Sequence, residues 1–82
     1  MYYVYILRSK RDASRFYIGY TTDVNKRLKE HNESRMLYTK RYTPWCVETY
    51  ISFTNQKIAK QFERYLKSGS GKTFLKRRLM AL

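Results

Sequence analysis

Eighty-two residues are enough for one domain with a thin core, because a chain of this length buries only about 60–65% of its unfolded surface. Eighteen Lys and Arg residues against six Asp and Glu residues give a formal net charge of +12, which attracts polyanions. No apolar run approaches the roughly 18 residues of a membrane span, no signal-peptide pattern opens the chain, and the single cysteine, Cys46, excludes an internal disulfide and indicates the reducing cytoplasm.

The aromatic content narrows the choice of polyanion. Aromatic residues make up 17% of the chain, and nine of them are tyrosines. Basic residues interleaved with aromatic rings suit a phosphate backbone with accessible bases. Nucleic acid is therefore the favoured partner, and a ribosome-associated or membrane-surface protein is the alternative.

Two strands open the predicted fold. Tyr2–Leu7 alternates, so that its even-numbered residues face one side and its odd-numbered residues the other. A polar stretch over residues 8–15 forms the hairpin loop, and Phe16–Tyr20 returns antiparallel to the first strand. Gly19 weakens that second strand, and a glycine inside a strand often marks the close approach of another group.

A helix follows, with Asp23 or Thr22 before it as the N-cap. Val24, Leu28 and His31 share one stripe of this helix, which is predicted to end near residues 32–34. Residues 35–44 are predicted to form a basic, aromatic loop. Its members that bear on binding are Arg35, Tyr38, Lys40, Arg41 and Tyr42.

The third strand is predicted over Trp45–Phe53, with its odd-numbered residues on one face and its even-numbered residues on the other. A helix capped by Thr54 then runs to about Lys67, and its apolar stripe comprises Ile58, Ala59, Phe62, Tyr65 and Leu66. Two glycines within residues 68–71 break it. Thr73–Leu82 is predicted as a last short helix with Phe74, Leu75 and Leu79 inward. The order β-β-α-β-α-α predicts an α+β domain, a three-stranded antiparallel sheet flanked by helices.

Hydrolysis of a phosphodiester needs a water that loses its proton, cations for the phosphate oxygens, and a metal ion or an acid for the leaving oxygen. Arg27 can clamp a phosphate through its planar fork of donors. His31, the only histidine, can shuttle a proton near neutral pH. Glu63 borders the apolar stripe, where a carboxylate needs a partner, and Mg²⁺ is often held by one or two carboxylates.

Each of these residues also has a purely structural explanation. Glu63 can form a salt bridge with Lys60, Lys67 or Arg64. Tyr5 and Tyr17 can pack across neighbouring strands, Arg27 can be a solvated helix residue, and His31 can satisfy a backbone carbonyl at the edge of the core.

The pattern resembles the GIY-YIG nuclease superfamily, and within it the small stand-alone bacterial members. Tyr3-Val4-Tyr5 stands where the family has its first motif, with Tyr3 in place of the glycine, and Tyr17-Ile18-Gly19 matches the second motif. Arg27, His31 and the later Glu63 match the family's helix signatures. Many family nucleases also carry a late Asn, and this chain has none after Asn55.

This resemblance implies a single endonuclease domain over residues 1–82 that hydrolyses DNA, with structure-selective cleavage in DNA repair or processing as the expected setting. Glu63 would bind one divalent cation, Mg²⁺ or Mn²⁺, and no small-molecule cofactor is implied. Tyr5 would assist deprotonation of the attacking water, Tyr17 and Arg27 would steady the scissile phosphate, and His31 would support the site. One alternative is a nucleic-acid-binding module that has kept the fold and lost the chemistry, and another is a basic adaptor that docks on an acidic protein.

Several residues outside this constellation are candidates for gripping the nucleic acid. They are predicted from the local density of positive charge, and a solvated basic face is the alternative for each. The candidates are Lys40, Arg41, Tyr42, Lys72, Lys76, Arg77 and Arg78.

Overall fold

The computed structural model describes residues 1–33 and 36–80, and it confirms an α+β architecture built on a three-stranded antiparallel sheet with the strand order β2-β1-β3. Across the described residues, none of the helices combines the length and apolarity that crossing a bilayer requires. The elements are β1 (Tyr2–Ser9), β2 (Phe16–Thr21), α1 (Val24–Asn32), α2 (Leu37–Lys40), β3 (Trp45–Phe53), α3 (Gln56–Leu66), α4 (Gly69–Phe74) and a π-helical turn (Leu75–Leu79).

The central strand β1 divides the core into two layers, because its side chains alternate as predicted. Val4 and Ile6 lie on the side covered by α3 and the π-helical turn, in a cluster with Leu66 and Leu75. Tyr5 and Leu7 lie on the opposite side, in a second cluster with Trp45, against which Val24 and Leu28 of α1 pack. The candidate site is built on this second side.

A β-bulge overturns the prediction that the odd-numbered residues of β3 share one face. The register with β1 pairs Ile6 with Thr49 but Leu7 with Val47, so Glu48 is the extra residue. An inserted residue reverses the side on which the following residues point. Trp45 and Val47 therefore belong to the Tyr5 layer, whereas Phe53 packs in the other layer.

The stretch predicted as a loop over residues 35–44 contains the short helix α2. Arg35, assigned to that loop, lies outside the described residues. Trp45 donates its indole N–H to the Thr39 carbonyl oxygen at 2.8 Å, in a buried hydrogen bond. Tertiary contacts thus hold a helical turn where local sequence signals indicate only polar loop.

The third helix begins one residue later than predicted. Its N-cap is Asn55, which accepts from the Ile58 N–H at 3.0 Å, and not Thr54. Of the predicted apolar stripe, Ala59 and Leu66 are fully buried, whereas Ile58 remains about half exposed.

The glycines of residues 68–71 start α4, although the sequence predicts a break followed by a helix from Thr73. Ser68 caps this helix by accepting from the Gly71 N–H at 3.2 Å. A Cβ at Gly71 would lie 1.7 Å from the carbonyl oxygen of Tyr65, so glycine is required there by the close approach of two helices. The predicted last helix ended at Leu82, and residues 81–82 lie outside the described residues.

Candidate active site

Gly19 makes room for the central side chain of the site. It pairs with Tyr5 across the β1–β2 register, and a Cβ at Gly19 would lie 2.3 Å from the Tyr5 hydroxyl oxygen. The phenol therefore crosses directly over the glycine. This is the close approach that the sequence predicts for a glycine inside a strand.

A buried hydrogen-bond chain begins at the Tyr5 hydroxyl. Tyr5 Oη lies 3.0 Å from His31 Nε2, and His31 Nδ1 lies 2.9 Å from Thr39 Oγ1. The Thr39 hydroxyl has an acceptor of its own, the Met36 carbonyl oxygen at 3.4 Å. Assigned from this network, Nδ1 carries the proton and donates to Thr39, so Nε2 accepts the proton of the Tyr5 hydroxyl.

Two further side chains, Trp45 and Asn32, stabilise this hydrogen-bond network. Trp45 binds the backbone of Thr39 through its indole N–H. Asn32 binds the backbone of Trp45 twice, because its Oδ1 accepts from the Trp45 N–H at 2.6 Å and its Nδ2 donates to the Trp45 carbonyl at 3.0 Å. His31 and Thr39 are completely buried, so the ring has no alternative partner in solvent.

The environment keeps both members of the Tyr5–His31 pair uncharged at neutral pH. Burial raises the pKa of Tyr5 from 10.0 to about 12, and the adjacent Arg27 lowers it by a smaller amount. Burial also lowers the pKa of His31, with a further contribution from the positive charge of Arg27. A neutral imidazole beside a neutral phenol can accept the phenol's proton when that proton is displaced.

Tyr17 and Arg27 are further neighbours of the Tyr5–His31 pair. The Tyr17 ring lies 4.7 Å from the His31 ring and 6.3 Å from the Tyr5 ring, measured between centroids. Arg27 is held from the outside by Glu30, with Nη1 and Oε1 3.3 Å apart. A side-chain hydrogen bond with Tyr5 is the largest contribution to the raised pKa of Arg27, so the guanidinium lies beside the phenol.

Glu63 approaches from α3. Its side chain is only 22% exposed, and one carboxylate oxygen lies 3.1 Å from Lys67 Nζ. After burial and the neighbouring tyrosine, the negative charge of Glu63 is a further factor that raises the pKa of Tyr5. The structure thus forms one of the salt bridges that the sequence offers, and it keeps the carboxylate within electrostatic reach of the phenol.

Most of the residues predicted to bind the nucleic acid lie on the surface. Six of them are exposed: Lys40, Arg41, Lys72, Lys76, Arg77 and Arg78. Tyr42 is half buried, because its ring packs between Tyr38 and Trp45 at centroid distances of 5.9 and 6.5 Å. Tyr42 therefore supports neighbouring rings more than it offers a free surface.

Sequence reasoning missed Thr39 and Glu30 as partners of the site. Glu30 stands three residues after Arg27 on α1, and this helical spacing places the two side chains together; that signal is present in the sequence. Thr39 has no comparable signal, because its contact with His31 depends on a helix that the local sequence does not predict.

Comparison with known proteins identifies the family of this chain. The model of the GIY-YIG catalytic domain matches residues 1–78. A UPF0213 protein of Bacillus licheniformis is 39% identical over 72 residues, which cover 87% of this chain and 72% of that protein. The solution NMR structure of the UPF0213 protein BH0048 from Bacillus halodurans has a TM-score of 0.54 and 35% identity, and the match covers 92% of this chain and 82% of that one.

A longer relative has a name that states an activity. The structure-specific endonuclease subunit slx1 of Schizosaccharomyces japonicus is 40% identical over 67 residues, which cover 76% of this chain but only 24% of that protein. The likeness is thus confined to about a quarter of the longer protein. Taken with the match over residues 1–78, these relatives show that the chain belongs to the GIY-YIG catalytic-domain family.

Proposed function

We propose that this protein is a divalent-metal-dependent endonuclease that hydrolyses DNA phosphodiester bonds. The observation that carries the proposal is the cluster around one phenol: His31 accepts from Tyr5 at 3.0 Å, the Tyr17 ring lies 4.7 Å from the His31 ring, and Arg27 is a hydrogen-bonding neighbour of Tyr5, while Glu63 on α3 lies within electrostatic reach. A base, a cation and a carboxylate at one hydroxyl are the groups that phosphodiester hydrolysis needs.

Arg27 is the proposed phosphate ligand. Its side chain is 36% exposed, and its hydrogen bond with Tyr5 keeps the guanidinium beside the phenol. A phosphate that reaches Tyr5 would therefore also meet this charged fork of donors. Glu30 fixes Nη1, so the guanidinium is already oriented when the phosphate arrives, and Tyr17, whose ring lies 6.3 Å from the Tyr5 ring, is the second proposed phosphate ligand.

The donor set at Glu63 suits Mg²⁺ or Mn²⁺. Within residues 1–33 and 36–80 no group of three or more His, Cys, Asp or Glu side chains lies together, so a closed metal cage is not built. Mg²⁺ commonly uses one or two carboxylates and fills its other positions with water and substrate phosphate. When bound, the ion would stabilise the negative charge that develops on the phosphate and the leaving oxygen.

The proton path follows from the hydrogen bonds. Tyr5 carries its proton at neutral pH, since burial raises its pKa to about 12. In the proposed step, the attacking water gives a proton to the Tyr5 oxygen while the hydroxyl proton passes to His31 Nε2. Thr39 holds Nδ1–H at 2.9 Å and so fixes the tautomer that accepts. Arg27 then balances the charge that builds up on the phosphate.

The positive surface supports DNA as the substrate. The net charge of +12 favours binding that releases counterions and weakens steeply with salt. The relative in Schizosaccharomyces japonicus is named a structure-specific endonuclease subunit, and structure-selective cutting in DNA repair or processing is the proposed setting here. The free cysteine, Cys46, supports a place in the reducing cytoplasm.

The test is a cleavage assay on labelled branched, nicked and linear DNA with Mg²⁺, with Mn²⁺ and with chelator. We expect cuts with either metal and none with chelator. Tyr5→Phe should lose activity at least 100-fold, because general acid–base groups contribute about 10²–10⁴-fold. Tyr3→Phe is the matched control on the same strand and should cut normally. Cleavage that persists in chelator or in Tyr5→Phe would contradict the proposal, and salt-sensitive binding without any cleavage would identify a binding module.

A further inference from the structure

A cleft of about 290 Å³ opens beside the candidate active site, between β2 and the junction of α3 with α4. Its walls combine cations with rings: Arg15, Lys67, Lys72, Phe16 and Tyr38. No carboxylate among the described residues lines it. Cations beside aromatic faces form the combination that binds a phosphate and its base.

Two contacts join the cleft to the site. Lys67 lies 3.1 Å from Glu63, the proposed metal ligand. The Tyr38 ring lies 6.2 Å from the Tyr17 ring, which itself contacts His31. A nucleotide in the cleft would therefore be the immediate neighbour of a phosphate held at Arg27.

Tyr38 is placed as a stacking platform. Its ring is 52% exposed, yet it is supported from behind by Tyr42 at 5.9 Å, and Tyr42 rests on the buried Trp45. A ring that is fixed on one side and open on the other offers a face to a base without first losing much conformational freedom. Stacking of this kind accepts any base, because every base has a π-face.

Arg15 is fixed in a similar way. Its guanidinium carbon lies 4.9 Å from the centroid of the Tyr42 ring, and its only described carboxylate contact is an exposed one to Asp12 at 3.7 Å. Cation–π contact holds the charge at the mouth of the cleft. Lys72 also lines the cleft, so two cations are available to one phosphate there.

We propose that this cleft binds one unpaired nucleotide next to the scissile phosphate, with its base stacked on Tyr38 and its phosphate held by Arg15 and Lys72. The proposal rests on the proposed function and names the substrate class. The volume is at the small end of ligand cavities, which begin near 300 Å³, and it suits one base. In a continuous duplex that base must first leave the stack, at a cost of a few kcal/mol, so single-stranded or splayed DNA is the preferred substrate.

Binding in chelator tests the cleft apart from any chemistry. The probes are a labelled five-nucleotide oligothymidylate and its abasic counterpart, which has the same phosphates. A stacked base is worth about 1–3 kcal/mol, so Tyr38→Ala should weaken binding of the first probe about 5- to 140-fold and leave the abasic probe unchanged. Tyr38→Phe should bind like the wild type. Arg15→Gln should weaken both probes, whereas Arg11→Gln in the same loop should weaken neither as much.

Tyr50→Ala is the matched aromatic control, because Tyr50 is 55% exposed but lies beside Tyr3 and not in the cleft. Equal losses in Tyr50→Ala and Tyr38→Ala, or equal losses on both probes, would overturn the proposal.

A cleavage assay distinguishes failure of the cleft proposal from failure of the nuclease proposal. If the wild type with Mg²⁺ cuts nothing, the nuclease proposal fails. If it cuts continuous duplex as fast as splayed DNA, and Tyr38→Ala leaves that ratio unchanged, only the cleft proposal fails.

Discussion

Substitution of Gly19 by alanine tests whether the phenol of Tyr5 is held where the chemistry requires it. The added Cβ would lie 2.3 Å from the Tyr5 hydroxyl oxygen, 2.4 Å from Cζ and 2.7 Å from Cε1. The ring has no free space to enter, because Tyr5 is 1% exposed and packs against Leu7 and Trp45. It must therefore move away from His31.

The expected cost follows from two contributions. Overpacking a buried site costs about 1–3 kcal/mol, and leaving a buried hydrogen-bonding atom of His31 without its partner costs about 1–3 kcal/mol. Removing a glycine from a strand returns about 0.5–1 kcal/mol. Gly19→Ala should therefore lower the free energy of unfolding by roughly 1–5 kcal/mol. It should also reduce cleavage as strongly as Tyr5→Phe does.

Urea unfolding followed by the fluorescence of Trp45, the single tryptophan, gives this free energy directly. A double-mutant cycle isolates the contact. Once Tyr5→Ala has removed the ring, adding Gly19→Ala should cost less than about 0.5 kcal/mol. A fully additive cycle, or a Gly19→Ala variant with wild-type stability and activity, would refute the proposed packing.

Three further predictions concern the surroundings of the phenol. Because burial lowers the pKa of His31 in the folded state below 6.5, its contribution to stability is full above pH 6.5 and is lost as the pH falls below that value. The urea concentration at the unfolding midpoint should therefore decrease as the pH falls below 6.5, and His31→Gln should reduce this dependence on pH. Lys67→Ala should change stability by less than about 0.5 kcal/mol, as expected for an ion pair on a helix surface. It should also lower the Mg²⁺ concentration that gives half-maximal cleavage, because Glu63 loses a competing cation. An unchanged half-maximal Mg²⁺ concentration would contradict this prediction. Asn32→Ala should lower stability by about 1–3 kcal/mol, because it leaves the Trp45 N–H without its partner. Each kcal/mol shifts the thermal midpoint by about 4–8 °C, so a midpoint within 2 °C of the wild type would show that the Asn32–Trp45 hydrogen bonds do not stabilise the fold as proposed.

The elements that the sequence predicts well are those with a strong local period. β1 alternates and divides the core as expected, and β3 spans Trp45–Phe53 as predicted. The family resemblance is confirmed over residues 1–78. Within the site, the position of Gly19 beneath another side chain follows from the rarity of glycine inside strands.

The features that escaped prediction depend on contacts between distant residues. The bulge at Glu48 exchanges the two faces of β3, and no local signal marks it because the alternation of residue types continues through it. The helix that carries Thr39 is stabilised by Trp45, and Gly71 begins a helix because two backbones meet there. Each of these corrections changes the surroundings of the site while leaving the strand order intact.

The charge state of Tyr5 depends on which of two opposing effects on its pKa is larger. A free phenol has a pKa near 10, so a role as a base at neutral pH would require nearby cations to lower that pKa. In the structure Arg27 does lower its pKa, but burial is the larger effect and raises the pKa to about 12. The neutral phenol therefore needs His31 as the acceptor of its proton, and this makes the pair a single functional unit.

Glu63→Ala, with DNA cleavage and DNA binding measured side by side, tests the central proposal most directly. The matched control is Glu48→Gln, which alters a carboxylate of similar exposure (29%) on β3. We predict that Glu63→Ala loses Mg²⁺-dependent cleavage by at least 100-fold while its affinity for DNA stays within about threefold of the wild type, and that Glu48→Gln retains both. Wild-type cleavage by Glu63→Ala in the presence of Mg²⁺ would contradict the assignment of Glu63 as the metal ligand and, with it, the proposed metal-dependent mechanism.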